Sequence, residues 1–337
     1  MKKRFGWKWL IIGSVAIVPA TLAAYVWIIA PEQRCPSQSG GVPLQTGAWN
    51  CVSSLPTSRS EVGVAVLDGH IYAAGGMNRW GNTAAFEVYD PILNQWRRLA
   101  PLTKPLNHLG IAGARGRIYL AGGYADLFLT KPVSDAWTYD LATNAWVSVA
   151  AMPGPRAAHL MINIDEKLYV TGGVGSDSSA LWVYDPATNT WDTTRARMPT
   201  AREHAAAAVF DGKLYVIGGR RATSENLAVV EVYDPPSNTW ARKRDLPTAR
   251  GGLTAATLGG RIHVTGGESL SARRTFNQHD VYDPVSDTWS ELAPLPKARH
   301  GLGSGVINGR WYVIGGATSP GWLTPISTSA MVDVFNQ

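Results

Sequence analysis

Residues 168–191 read LYVTGGVGSDSSALWVYDPATNTW. An apolar run ends at Gly172-Gly173, a polar stretch follows, and a Val-Tyr-Asp-Pro and a Trp come at a distance. Alone, the stretch fits one loop of a domain, a glycine-rich phosphate cradle or one copy of a repeat. The rest of the chain decides between them. Gly-Gly pairs stand at Gly75-Gly76, Gly122-Gly123, Gly172-Gly173, Gly218-Gly219, Gly266-Gly267 and Gly315-Gly316, at intervals of 47, 50, 46, 48 and 49 residues. Each closes an apolar run: HIYAAGG, RIYLAGG, KLYVTGG, KLYVIGG, RIHVTGG and RWYVIGG. Downstream come VYDP, TYDL, VYDP, VYDP, VYDP and VFNQ, and five of them are followed by Trp96, Trp146, Trp191, Trp240 and Trp289. Self-similarity at a fixed period is the signature of a repeat architecture.

Each unit reads as four short strands. An apolar strand starts two or three residues past an Arg or Asn, a second ends at Gly-Gly, a third carries the Tyr and a fourth the Trp. The Asp-Pro-x-x-Asn link supplies tight-turn residues. The glycines permit positive φ and close backbone approach, and the Tyr and Trp are large apolar bodies suited to the space between units. One such sheet cannot bury both faces, so neighbouring units must supply the core.

This pattern resembles kelch repeats over about residues 47–337. The resemblance implies an all-β, six-bladed β-propeller with four antiparallel strands per blade. The sixth unit ends at VFNQ without a fourth strand, while TGAWNCVSSLPTSR aligns with SDTWSELAPLPKAR, matching Trp49 to Trp289, Pro56 to Pro296 and Arg59 to Arg299. The 47–53 segment is therefore expected to pair with the C-terminal strand and close the ring, which removes an open edge.

The first 30 residues read as a single N-terminal transmembrane helix. Cations at Lys2, Lys3, Arg4 and Lys8 precede 22 uncharged residues from Trp9 to Ala30. At 1.5 Å per residue these span about 33 Å, against a hydrocarbon core of about 30 Å. The alternative is a signal peptide cleaved near Val18–Ala20 or Ala23. Either reading places residues from about 31 onward outside the cytoplasm, periplasmic or extracellular, with 31–46 as a linker. Cys35 and Cys51 then lie where a disulfide persists; a bridge would close a short loop, and two unpaired thiols are the alternative.

Of the 337 residues, 45% are hydrophobic and 17% charged, with a net charge of +6. The excess is concentrated at the start: residues 1–34 carry +4, which leaves +2 for the remainder. A nucleic-acid binder needs its cations on the folded domain, so none is expected as a partner. No GxGxxG or GxxxxGK[ST] opens a helix, which removes the phosphate-cradle reading of Gly172-Gly173. Two cysteines and seven scattered histidines show no metal-ligand spacing, so neither a metal nor another cofactor is expected. The Ser-x-Asp-x-Gly box of sialidase propellers, the ligand pattern of kelch-type copper oxidases and a GxSxG elbow are also absent.

What remains is a ring. Sixteen residues before the first Gly of five pairs stand Arg59, Arg156, Arg202, Arg250 and Arg299; the second repeat has Leu106 there, followed by Asn107-His108. Sixfold geometry brings these positions to one mouth of a central channel, on the face where the loops after Gly-Gly open. Those loops carry Trp80, Tyr124, Phe128, Arg220, Arg221, Arg273, Arg274 and Trp322, and His159, Glu203, His204 and His300 sit beside the arginines. The five arginines with His300 are candidates for binding a carboxylate or acidic peptide through bidentate hydrogen bonds. In kelch domains that bind acidic peptides, arginines at this motif position contact the ligand. Bonding neighbouring backbone carbonyls is the structural alternative. The expectation is thus a membrane-tethered extracytoplasmic module that binds a protein or anionic small molecule without catalysis. The alternative is an isomerase acting on acidic sugars, resembling kelch-type N-acetylneuraminate mutarotases, with Glu203 and His204 as candidate catalytic residues.

Overall fold

The computed structural model describes residues 33–35, 45–221 and 224–337. The segment expected to anchor the chain, 9–30, lies outside them. Among the described residues no helix is long and apolar enough to cross a membrane.

From Gln33 onward the chain forms one compact unit. Its described residues build six antiparallel blades around a central channel. Blade 1 runs outward through Gly63–Leu67, His70–Ala74, Phe86–Asp90 and Gln95–Arg98. The innermost strands of blades 2 to 6 are Gly110–Ala114, Leu160–Ile164, Ala206–Phe210, Gly251–Leu258 and Gly303–Ile307. In blade 5 the first two strands are lengthened, and a short extra strand, Arg274–Thr275, pairs with the second. Blade 6 takes its outermost strand, Ala48–Cys51, from the N-terminal side; it pairs antiparallel with Val332–Asn336, with Trp49 opposite Phe335.

The core lies between blades. Tyr72, Phe86 and Val88 of blade 1 pack on Leu109, Ile118 and Leu120 of blade 2, and equivalent buried clusters fill the other interfaces. The repeated Tyr and Trp face each other across the third and fourth strands, with ring centroids 4.9–5.1 Å apart in blades 1 to 5. Their polar ends tie each blade to the one before. Trp96 Nε1 donates to the Ser53 carbonyl at 2.9 Å, Trp240 Nε1 to Ala196 at 2.8 Å, and Trp49 Nε1 to Ala293 at 2.8 Å. The Asn of the Asp-Pro-x-x-Asn turn has a second function. Asn238 adopts the left-handed region (φ 53°), receives the Tyr233 hydroxyl at 2.8 Å and accepts the Ala196 backbone N–H at 2.8 Å.

The Gly-Gly pair is also an inter-blade device. Gly123 (φ 102°) donates its N–H to the carbonyl of Arg156 in the next blade at 2.9 Å, and a Cβ on Gly122 would stand 2.3 Å from that same oxygen. Only glycine combines that conformation with that approach. Gly316 closes the cycle onto Arg59 at 3.0 Å. At the N-terminal side, Ala330 donates to the Gln33 carbonyl at 2.7 Å, and a Cys35–Cys51 disulfide joins this arm to the closing strand.

The first strand of blades 1, 3, 4 and 6 begins four residues beyond the arginine, later than the two or three expected, whereas that of blade 2 begins three beyond Asn107. The intervening residues turn through a left-handed position, and that turn builds the channel mouth.

Candidate functional site at the channel throat

The arginine ring does not line the mouth. Arg59, Arg156, Arg202, Arg250 and Arg299 are fully buried, and four of them are paired with acids of the third strand in their own blade. Arg59 Nη1 reaches Glu87 at 2.6 Å, Arg202 Nη1 reaches Glu231 at 2.7 Å, Arg250 Nη2 reaches Asp280 at 2.6 Å, and Arg299 pairs with Asp333. Other guanidinium nitrogens hold backbone: Arg59 donates to the Thr57 and Ala73 carbonyls, each at 3.0 Å. Arg156 has no acid. It donates to the Ala180 and Asp177 carbonyls at 3.1 and 2.6 Å and lies 3.7 Å over the Trp182 ring. Burial lowers all five from the usual arginine value, Arg156 to about 10. The expectation of five guanidiniums facing a ligand is corrected: a cation this deep must be paired, and each is committed within its blade.

The signal for this was present in the repeats. FEVYD, VEVYD, HDVYD and VDVFN carry an acid where AWTYD and LWVYD carry Trp. The acids occur in the four blades whose arginine they neutralise. Trp182 receives Arg156 instead, and Trp137 stands in blade 2, where Leu106 replaces the arginine.

Two residues beyond the arginine layer lies a different ring: Glu61, His108, Ala158, His204, Gly252 and Gly301. Their backbones form a closed cycle. Glu61 N–H donates to Gly301, His108 to Glu61, Ala158 to His108, His204 to Ala158, Gly252 to His204 and Gly301 to Gly252, at 2.7–3.3 Å. All six line the throat of the channel. Below it the channel is walled by inner-strand residues such as Val64, Ile111, Met161, Ala207 and Ser304.

The throat carries a connected polar network. His108 Nε2 stands 3.3 Å from Glu61 Oε2, and its Nδ1 bonds Asn107 Oδ1. His204 Nδ1 is 3.1 Å from Glu203 Oε2, and its Nε2 meets Arg220 Nη2 at 3.1 Å. Arg220 joins Glu203 at 2.9 Å to Glu268 at 2.5 Å. His300 Nε2 lies 3.0 Å from the Ser319 carbonyl, and its Nδ1 faces Glu268 at 3.5 Å and Glu61 at 3.7 Å. The candidate residues Glu203, His204 and His300 are thus brought together at the throat. The sequence reading did not single out Glu61 and Glu268, and it treated Asn107-His108 only as a departure from the arginine pattern.

Three carboxylates here face one guanidinium. Burial would raise Glu203, but the neighbouring His204 imidazole and the Arg220 guanidinium hold it down at about 2. Burial also opposes ionisation of Glu268, yet His300 and Arg220 keep it below its usual value. Burial opposes the charge on Arg220, but Glu268 and Glu203 raise it overall. His108 is pushed well below the usual histidine value by burial and by neighbouring His204, Arg220 and His300. Glu61, His108 and His204 each offer one ligating atom, and these atoms lie within 4.8 Å of one another. At the throat itself carboxylates outnumber guanidiniums, unlike the arginine-lined mouth expected from the repeats.

Around the throat, the loops between second and third strands form an uneven rim. Trp80 (81% exposed), Phe128 (87%) and Trp322 (82%) come from the adjacent blades 1, 2 and 6. The 3-10 helix Gly321–Ile326 packs against Met77–Asn78, and Gly81 approaches Leu127, so the three loops adjoin. Blades 4 and 5 contribute Arg221, Arg273 and Arg274 instead.

The comparisons agree with this architecture. A profile described as the KLHDC2/KLHL20/DRC7 Kelch-repeats domain matches residues 107–244 and 158–327, and the Kelch motif matches 58–103. Kelch-like protein 26 of Danio rerio is 29% identical over 201 residues, covering 58% of this chain and 33% of that protein. Kelch-like protein terF of Aspergillus terreus is 27% identical over 219 residues, covering 60% and 48%, and Alpha-scruin of Limulus polyphemus 29% over 207, covering 58% and 22%. The matched part spans less than half of each of these relatives. A solved structure, titled "Structure of YjhT", superposes with a TM-score of 0.71 over 83% of this chain and 95% of that one, a likeness of fold at 19% identity. With six Gly-Gly units forming six blades, five of them carrying the Tyr and Trp, and the family model matched over more than half of the chain, the chain belongs to the kelch-repeat family.

Proposed function

We propose that the protein is a binding module that receives a segment of another protein on the rim-and-throat face of the propeller. One observation carries this: Trp80, Phe128 and Trp322 stand almost fully exposed on adjoining loops beside a charged throat. Contiguous exposed apolar surface with a polar margin is the usual mark of an interaction site, and Trp is enriched among residues that dominate binding energy. The charge balance of the throat favours a cationic or hydrogen-bond-donating group from the partner, in place of the anionic one suggested by the arginine pattern. It also weighs against an enzyme acting on acidic sugars, because Glu61, Glu203 and Glu268 repel a carboxylate.

The proposal includes presentation outside the cytoplasm by the apolar run Trp9–Ala30. The Cys35–Cys51 pairing supports this, since such bonds persist in oxidising compartments.

A displayed peptide library selected against the protein tests the binding reading. Enriched sequences should lose at least about tenfold in affinity with Trp80→Ser/Trp322→Ser. They should bind unchanged to Val285→Ser, which alters an exposed apolar residue in a Tyr-Asp-Pro turn of blade 5, at the opposite end of the strands. Equal affinity for both variants would place binding elsewhere. Affinity for N-acetylneuraminate in calorimetry, lost in Glu203→Gln, would return the sugar reading to first place.

A further inference from the structure

The throat holds side chains that a protein-binding rim does not require. All six ring positions have positive φ: 52° at Glu61, 53° at His108, 53° at Ala158, 51° at His204, 68° at Gly252 and 60° at Gly301. Blades 5 and 6 place glycine there, which adopts this region freely, whereas an L side chain held in it is strained. Blades 1, 2 and 4 accept that strain and set a carboxylate and two imidazoles against one another.

We propose that Glu61, His108 and His204 bind one divalent transition-metal ion of the zinc class in the channel throat. Two imidazole nitrogens and one carboxylate oxygen form a donor set these ions favour, and three protein ligands leave a coordination position for a group entering the channel. The three ligating atoms lie within 4.8 Å of one another. A loaded tetrahedral site spaces its donors about 3.5 Å apart, so binding draws them inward by side-chain rotation.

Three further observations point to a cation. The Asn107 side chain orients His108 through Nδ1 and leaves Nε2 directed at Glu61, an arrangement of the kind that fixes metal-bound imidazoles. His204 is nine-tenths buried, and its Nδ1 makes no hydrogen bond of good geometry, although Glu203 stands 3.1 Å away. The throat also gathers three carboxylates, Glu61, Glu203 and Glu268, around a single guanidinium, Arg220, with the imidazoles of His108, His204 and His300 between them; buried charges are ordinarily paired or metal-coordinated. The ligands come from three blades, 47 and 96 residues apart, so no spacing motif marks them in the sequence.

The test is titration of chelator-treated full-length protein with Zn²⁺ by calorimetry and with Co²⁺ by visible absorption. One equivalent should bind per chain, and Co²⁺ should give the ligand-field bands of a nitrogen–oxygen site. His108→Gln and His204→Gln should each weaken binding at least about tenfold, while His70→Gln, at the inter-strand turn of blade 1, leaves it unchanged. Circular dichroism and metal-free melting establish that each variant is folded; Glu61→Gln, nearly isosteric, provides the third ligand test if a histidine variant is not. The absence of saturable binding, or binding that survives all three substitutions, overturns the proposal. Neither outcome depends on whether a peptide binds the rim.

Discussion

The arginine layer, present in five blades, and the throat ring lie two residues apart in the same segment, yet they do opposite work. Arg202 and its counterparts recur with a complementary residue on the third strand, and each is buried inside its own blade. Glu61, His108 and His204 do not recur: their position is glycine or alanine in the other three blades. What the blades share holds the ring together, and what they do not share faces the channel. In a sixfold repeat, the recurrent charge is the less promising functional candidate.

The sharpest way to break this comparison is to remove a shared element. Arg299→Ala leaves Asp333 buried without its partner, and we expect a loss of about 3–5 kcal/mol in denaturant unfolding. Arg202→Met combined with Glu231→Leu removes both charges and should recover most of the loss caused by Arg202→Ala alone. A small effect for Arg299→Ala would mean that the layer is not structural.

Acid tests the channel and an inter-blade core together. Burial lowers His263 to about 4, and His159 and His279 to about 3, so these imidazoles stay neutral in the folded state while the unfolded chain takes up protons near pH 6.5. The unfolded state therefore binds more protons as pH falls. Stability from these groups is complete above about pH 6.5 and declines below it, towards the folded values near 3–4. His279 packs on Trp49 and Phe335. His279→Phe should therefore make the pH dependence of unfolding shallower by about one proton, roughly 1.4 kcal/mol per pH unit. An unchanged slope between pH 6 and 4.5 would refute that assignment.

The smallest effect sharpens the contrast from the throat side. Ala158 sits at a left-handed ring position (φ 53°) that two other blades fill with glycine. Ala158→Gly should be neutral or stabilising by up to about 1 kcal/mol in thermal melting, because relief of strain offsets the added chain entropy. A clear destabilisation would show that ring side chains are selected for packing.

The fold was legible because each repeat carries its own strand, turn and packing residues within about 50 positions, and six copies reinforce one reading. Gly172-Gly173, Tyr184 and Trp191 in the stretch 168–191 each do locally what their residue types suggest. The arginines were placed correctly along the chain but not in depth. Their acids lie about 30 residues downstream, and only the register of the blade turns Glu231 towards Arg202. Glu61, His108 and His204 were invisible as a group, since nothing local relates residues separated by a whole blade. The sequence by itself thus determined the number of blades and the residues that join them, because those interactions repeat with the chain. Tertiary structure alone decided which charges meet at the axis, because that depends on closing six blades into a ring.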